Sequence, residues 1–151
     1  MRTVKVRDFQ PADRLPLVRM WRESFEYGVG IVSPHPLDDQ IQYFEQEVRA
    51  KSQVRVALDD DLIVGFLACT TELVAQLYVR VGHHRQGVGS HLLSLAKAGA
   101  GGSLWLFTFA RNKNACAFYE SQGFTVVQRG FEPMWQLEDV KYSWSSAASA
   151  A

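Results

Sequence analysis

The spacing of apolar residues changes along this chain, and each change marks a boundary. Thr3–Phe9 alternates Val4 and Val6 with charged neighbours, the two-residue period of an edge or half-buried strand. After Pro11 the period lengthens: Leu15, Val18, Trp21 and Phe25 recur at three- and four-residue steps, a helical stripe that Gly28 and Gly30 close. Pro34 and Pro36 punctuate a loop, and Leu37–Arg49 restores helix through Ile41, Phe44 and Val48, with Asp38 and Asp39 in its first turn. Gln53–Leu58 and Leu62–Thr70 read as strands either side of Asp59-Asp60-Asp61, a hairpin turn without the glycine such turns favour. Glu72–Val81 is a third strand. Gly87–Gly99 is helical on Val88, Leu92, Leu95 and Ala96, Ser103–Phe109 is an aromatic-rich strand, and Asn114–Gln122 is a short helix stopped by Gly123. Phe124–Arg129 and Trp135–Trp144 are the closing strands. The order β-α-α-β-β-β-α-β-α-β-β, with antiparallel neighbours early and a strand–helix–strand crossover in the middle, predicts a mixed α/β sheet.

Composition adds limits. The 151 residues, 47% of them hydrophobic, suit one globular domain, read here as 1–144. A chain of this size buries roughly 70% of its unfolded surface, so its core needs no disulfide or metal support. The remaining 145–151 (SSAASAA) reads as a frayed or appended tail. Sixteen bases against sixteen acids give no broad cationic field, which argues against a nucleic-acid partner. Cys69 and Cys116 lack any zinc-ligand spacing, so no metal is expected, and two reduced thiols fit a cytoplasmic protein. The start MRTVKVRDF has no apolar leader core, and runs such as LIVGFLAC are far short of the ~20 residues of a membrane span.

The chemistry concentrates in Ala75–Leu93, AQLYVRVGHHRQGVGSHLL, where a strand enters a loop holding Gly87 and Gly89 and a helix follows at once. Helix-start amides without intrahelical partners, glycines that admit close approach, and the helix dipole together make an anion site. A Walker loop fails because no Gly-Lys-Ser/Thr follows. A dinucleotide fingerprint fails because its third small position is Leu92, and the next strand ends in Ala110-Arg111 with no ribose-binding acid. His84-Arg-Gln-Gly87-Val-Gly89 resembles instead the acyl-CoA pyrophosphate loop, [QR]-x-x-G-x-[GA], of the GCN5-related N-acetyltransferase (GNAT) family, with His84 where Gln or Arg is usual. A second block, Asn112-Lys-Asn-Ala115-Cys-Ala-Phe-Tyr119-Glu-Ser-Gln-Gly123-Phe124, is similar to the family's N-x-x-A-x-x-[FLY]-Y-x-x-x-G-F. The order of elements also agrees, so the resemblance spans essentially 1–144. Gln76-Leu-Tyr-Val, the strand 105–109 and the closing KYSW look like a bacterial branch of the family.

That resemblance implies a mostly antiparallel central sheet with helices on both faces, acetyl-CoA as cosubstrate, and transfer of its acetyl group to a primary amine by direct attack in a ternary complex. It implies pyrophosphate contacts from His84, Arg85, Gln86, Gly87, Val88, Gly89 and Ser90, and main-chain contacts from Leu77, Tyr78 and Val79. Val79 is the expected amide donor to the thioester oxygen. Tyr119 takes the family's general-acid position toward the departing thiolate, unless it only packs on the Ala115–Phe118–Tyr119 face. Asn112 either touches the cofactor or caps the helix, and the resemblance implies cofactor contacts from Ala115 and Tyr119 as well. Glu72 is a candidate base or simply a solvated carboxylate. His35, between two prolines, lies in a region that covers the acceptor site in the family. The acceptor is a small-molecule or peptide amine, and members of the family often form homodimers. A non-catalytic acyl-CoA sensor or interaction module would keep the same glycine loop.

The charge count hides a pattern. Leu73–Tyr119 contains no Asp or Glu but five bases, Arg80, Arg85, Lys97, Arg111 and Lys113. Their convergence would suit a ligand carrying several phosphates. Asp8–Glu72 holds twelve acids against six bases, which would suit a cationic acceptor if those acids line its cleft.

Overall fold

The computed structural model describes residues 4–146. Among these residues seven strands form two sheets. β1 (Lys5–Asp8), β2 (Gln53–Asp59), β3 (Leu62–Cys69) and β4 (Val74–Val79) lie in that order, and β5 (Ser103–Phe109), β7 (Leu137–Ser145) and β6 (Thr125–Glu132) form the second sheet in the order β5-β7-β6. All these pairings are antiparallel. The sheets join at one parallel bridge between Leu73 and Trp105, where the Trp105 N–H donates to Glu72 O at 2.9 Å. Beyond that bridge β4 and β5 part. The mixed sheet expected from the order of elements is therefore present, with its parallel contact reduced to a single point. β7 runs to Ser145, one residue into the segment read as tail, and residues 147–151 of that tail lie outside the described residues.

β3 explains the apolar run LIVGFLAC: every residue after Leu62 is buried, because helices cover both faces of the first sheet. On one face α1 (Arg14–Val29) and the segment Phe44–Arg49, which continues α2 (Leu37–Tyr43), pack Leu17, Trp21, Phe25 and Phe44 against Val54, Val56, Ile63 and Phe66. On the other, α3 (Val88–Gly99) packs Leu92, Leu93 and Ala96 against Ala57, Val64 and Leu67, and α4 (Lys113–Ser121) adds Tyr119.

The expected boundaries need three corrections. The α1 stripe turns inward on Leu17 and Met20 as well as Val18 and Trp21, leaving Leu15 exposed, and the helix continues through Gly28 to Val29 before Gly30 ends it in the left-handed region (φ 78°). Helix 37–49 is not uniform: from Phe44 to Arg49 it widens into i→i+5 hydrogen bonding, with Phe44 and Val48 still buried. The DDD hairpin closes without glycine because Asp60 itself takes φ 54°, a conformation Asp tolerates. Before α1, the Asp13 carboxylate accepts both Arg7 guanidinium nitrogens (2.7 and 3.0 Å) and the Gln10 amide (2.8 Å). Those bonds, the Arg7 pair foremost, hold its pKa below the ordinary carboxylate value against an opposing effect of burial.

Candidate active site

Strand alternation decides which backbone groups the parted strands expose. The Arg80 N–H bonds Val64 O at 2.8 Å, and the register pairs Tyr78 with Phe66 and Gln76 with Ala68. The main chain of Tyr78 and Gln76 therefore turns to β3, and that of Leu77 and Val79 turns into the gap. On the facing side the Ala110 N–H bonds Glu138 O at 2.9 Å, which by the same alternation turns Phe107 toward β4. The Val79 carbonyl is held by Ser24 Oγ of α1 at 2.9 Å. Two open strand edges thus face each other across a cleft of about 450 Å³.

The glycine loop closes one end of this cleft. Arg85 (φ 64°) and Gly87 (φ 84°) both take positive φ, reversing the chain just before α3 begins at Val88. A Cβ at Gly89 would lie 3.3 Å from the Phe118 ring and 3.6 Å from Val79, so a side chain there would narrow the passage between α3, α4 and β4. The amides of the first turn of α3 have no intrahelical partners and the helix dipole is positive there, which together favour an anion. His84 stacks on Tyr27 of α1 (6.0 Å, 19°) over the mouth. His83 is turned inward: its Nε2 lies 3.7 Å from Asp59, and its buried Nδ1 has no partner among the described residues.

Helix α4 supplies the opposite wall. Asn112 Oδ1 accepts from the Ala115 amide at 3.1 Å, so the helix cap is made, and the same side chain borders the cleft. It is wedged against α1: a Cβ at Gly28 would come within 2.6 Å of Asn112 Nδ2. Arg111 donates from Nε to Val29 O at 3.0 Å, tying the end of α1 to the same corner. Tyr119, 6% exposed, packs on Phe118, Phe124 and Tyr142 and borders the cleft. Burial pushes its hydroxyl well above the ordinary tyrosine pKa, with smaller contributions from Tyr78 and Cys116. Tyr78, stacked on Phe66 and beside Trp21, is pushed by burial up to about 12. Both phenols are neutral donors at ordinary pH.

The cleft gathers Leu77, Tyr78, Val79, His84, Arg85, Gly87, Gly89, Ser90, Asn112, Ala115 and Tyr119 from the expected set. Gln86 and Val88 do not border it; the Val88 side chain is buried beneath α3. Glu72 is not brought to it either. It is exposed at the far end of β4, seven residues and about 20 Å of extended chain from Val79. His35 lies elsewhere, edge-on to Trp135 at 4.7 Å. The pattern of bases also resolves differently. Arg80 bonds Ile63 O (2.7 Å), Lys97 bonds Gln122 O (2.6 Å) and Arg111 bonds Val29 O, so only Arg85 of the five borders the cleft. No acid of 8–72 borders it. Ser24, Tyr27 and Gly28 of α1 and Phe107 and Thr108 of β5 line the cleft as well, outside either motif. Gly28 left a signal, a glycine inside a helical period, but it read as a helix end. Among the described residues no group of three His, Cys, Asp or Glu is placed to hold a metal, and no helix is long and apolar enough to cross a membrane.

Comparison with known proteins places this geometry. The model of the acetyltransferase (GNAT) domain matches residues 50–126, about half of the chain. The chain is 24% identical over 140 residues to the peptidyl-lysine N-acetyltransferase YiaC of Escherichia coli (strain K12), covering 92% of this chain and 95% of that protein. Its fold is similar to that of a GCN5-related N-acetyltransferase from Rhodopseudomonas palustris (TM-score 0.76, 20% identity, 96% and 97% of the two chains). It is similar too to the PaiA N-acetyltransferase from Thermoplasma acidophilum in complex with coenzyme A (TM-score 0.72, 17% identity, 95% and 99%).

Proposed function

Because the chain belongs to the GNAT acetyltransferase family, we propose that it transfers the acetyl group of acetyl-CoA to a primary amine by direct attack in a ternary complex. The observation that carries this reading is the parting of β4 and β5 beside the glycine loop, which leaves unpaired amides of Leu77 and Val79 facing Tyr119 across one cleft. Acetyl-CoA would rest its pyrophosphate on the amides around Gly87–Ser90, with Arg85 adding charge, and run its extended arm along the open edge of β4. The thioester oxygen gains negative charge as the amine attacks, and the Val79 amide, with Leu77 beside it, is the donor that meets it. When the tetrahedral adduct collapses, the C–S bond breaks and the thiolate takes the Tyr119 proton, while the proton that the nitrogen sheds as the amide forms restores the Tyr119 hydroxyl. The burial that keeps Tyr119 protonated also raises the basicity of a thiolate expelled next to it, so the two remain matched.

The experiment is a melting-shift titration with acetyl-CoA followed by thiol release across a panel of amines. Stabilisation with amine-dependent thiol release is the expected result. Stabilisation without turnover by any amine assigns the cleft to an acyl-CoA sensor, and no stabilisation removes the reading.

A further inference from the structure

The amine that attacks must be neutral, and a cleft makes it so with a carboxylate that draws in the ammonium or a base that takes its proton. This cleft has no carboxylate: among the described residues no Asp or Glu borders it, and the residues outside that set contain none. Asp59 reaches the cleft only through His83, 3.7 Å from its Nε2 at the glycine-loop end, and the other acids of the segments nearby are committed elsewhere. Glu26 accepts from the Ser33 amide at 2.7 Å, Glu132 from the Trp135 amide at 2.6 Å, and Glu120 from the Tyr142 hydroxyl at 2.6 Å. The titratable groups that do border it are Tyr27, Tyr78, Tyr119, His83, His84 and Arg85. The two buried phenols donate protons, and the imidazoles and Arg85 sit at the glycine-loop end, where the phosphates belong. What faces an acceptor is neutral and partly aromatic: Phe107, 51% exposed, with Gln76 and Thr108. Lys141 lies over the Trp105 and Phe107 rings (4.8 and 5.9 Å), so the nearest charge on that wall is positive.

On the acetyltransferase reading above, we infer that the acceptor nitrogen is one that is already substantially neutral at physiological pH, an α-amino group rather than a lysine-type alkylammonium. An α-amino group titrates near 7.7–8.0 and a lysine near 10.4, so at about pH 7.5 their neutral fractions differ roughly two- to three-hundred-fold. A cleft without a carboxylate does nothing to offset that difference. The open main-chain edge at Phe107 offers an N–H and a C=O to the first peptide unit behind such an amine.

The test compares three acceptors with the full chain and acetyl-CoA, reading thiol release: a lysine-free tripeptide with a free α-amine, the α-formylated peptide carrying one lysine, and an amino-acid amide. The expected result is a kcat/KM for the α-amine on the order of 10²-fold above that for the lysine at about pH 7.5, shrinking to roughly tenfold near pH 9.5 as the lysine deprotonates. Both α-amine acceptors support the inference, and whichever is faster identifies a peptide or a small molecule as the source. Equal or faster lysine acetylation at pH 7.5 overturns it, as does failure of both α-amines. In those cases a preserved melting shift with acetyl-CoA leaves the cofactor site standing, whereas loss of that shift strikes the underlying reading instead.

Discussion

Gly28→Ala tests how the α1–α4 corner holds the site. Gly28 lies in the last turn of α1, where alanine alone gains up to about 1 kcal/mol over glycine in helix propensity and unfolded-state entropy. The new Cβ would stand 2.6 Å from Asn112 Nδ2 and 3.1 Å from Cγ and Oδ1, so the Asn112 side chain must leave. Leaving breaks its bond to the Ala115 amide, and loss of such a cap costs about 1 kcal/mol. The two effects nearly cancel, so a melting curve of the single variant stays close to that of the parent although the start of α4 is displaced. The coupling appears in a double-mutant cycle. With Asn112→Ala already in place the clash is absent, and Gly28→Ala becomes stabilising by about 0.5–1 kcal/mol. The difference between the two backgrounds is therefore about 1 kcal/mol, well outside the ~0.3–0.5 kcal/mol scatter of independent sites. Activity moves separately: because α4 carries Tyr119, kcat/KM of Gly28→Ala drops on the order of tenfold at near-parental stability. Equal stabilisation by alanine in both backgrounds, measured by urea unfolding, would falsify the wedge.

Four further outcomes follow from the same geometry. Tyr119→Phe lowers kcat on the order of 10²-fold while the acetyl-CoA melting shift is retained, and parental turnover would remove the residue from proton donation. Since burial raises the Tyr119 pKa, its protonated, donating form persists above the ordinary tyrosine range, so stopped-flow rates show no alkaline loss attributable to this group below about pH 10. Asp13→Asn lowers Tm by about 5 °C at neutral pH, from about 2 kcal/mol for charged bonds to a partly exposed Arg7. The folded pKa of Asp13 is depressed, so its stabilisation is present above about pH 3.9 and disappears as pH falls through the folded value. Acid-denaturation curves of parent and variant should therefore converge there. Glu72→Gln keeps kcat/KM within about twofold in the thiol-release assay, since an exposed side chain at the far end of β4 touches neither reactant.

Periodicity and punctuation were sufficient for the elements, because each rests on local chemistry. Ser103–Phe109 is a strand over its whole expected length, and the buried run of β3 could be read as apolar without knowing what covers it. Details that depend on tertiary partners were not legible. Gly28 reads as a helix stop on its own, yet it is a helical residue, and the Asn112 side chain occupies the space a Cβ there would need. Leu15 fits the helical stripe, but α1 packs on Leu17, Val18, Met20 and Trp21 and leaves it exposed. Spacing likewise located the glycine loop and the Asn112–Tyr119 block, while the α1 wall, Ser24 and Tyr27 above all, came from a helix with no motif to mark it.

Charge shows where one-dimensional reading ends. The acid-free stretch 73–119 looked like a phosphate-binding surface, and the acid-rich 8–72 like a trap for a cation. In three dimensions the bases of the first mostly close the ends of helices and strands: Arg111 meets the last carbonyl of α1, Lys97 the chain leaving α4, and Arg80 the start of β3. A long cationic side chain satisfies a carbonyl at a helix C-terminus whether or not an anion is near, so a run of bases is weak evidence for phosphate unless the positions converge. The acids of the second stretch fix loops and pair across helix turns, Glu26 on Ser33 and Glu45 on Arg49 among them. The cleft between is left with backbone amides, phenols, and two imidazoles and one arginine at its glycine-loop end. On the proposed acetyltransferase reading, such a site would recognise an anion through main-chain donors and select its nucleophile by that nucleophile's own basicity. The absence of acids near the motifs was therefore the informative half of the charge pattern, and it bears on the acceptor rather than on the cofactor.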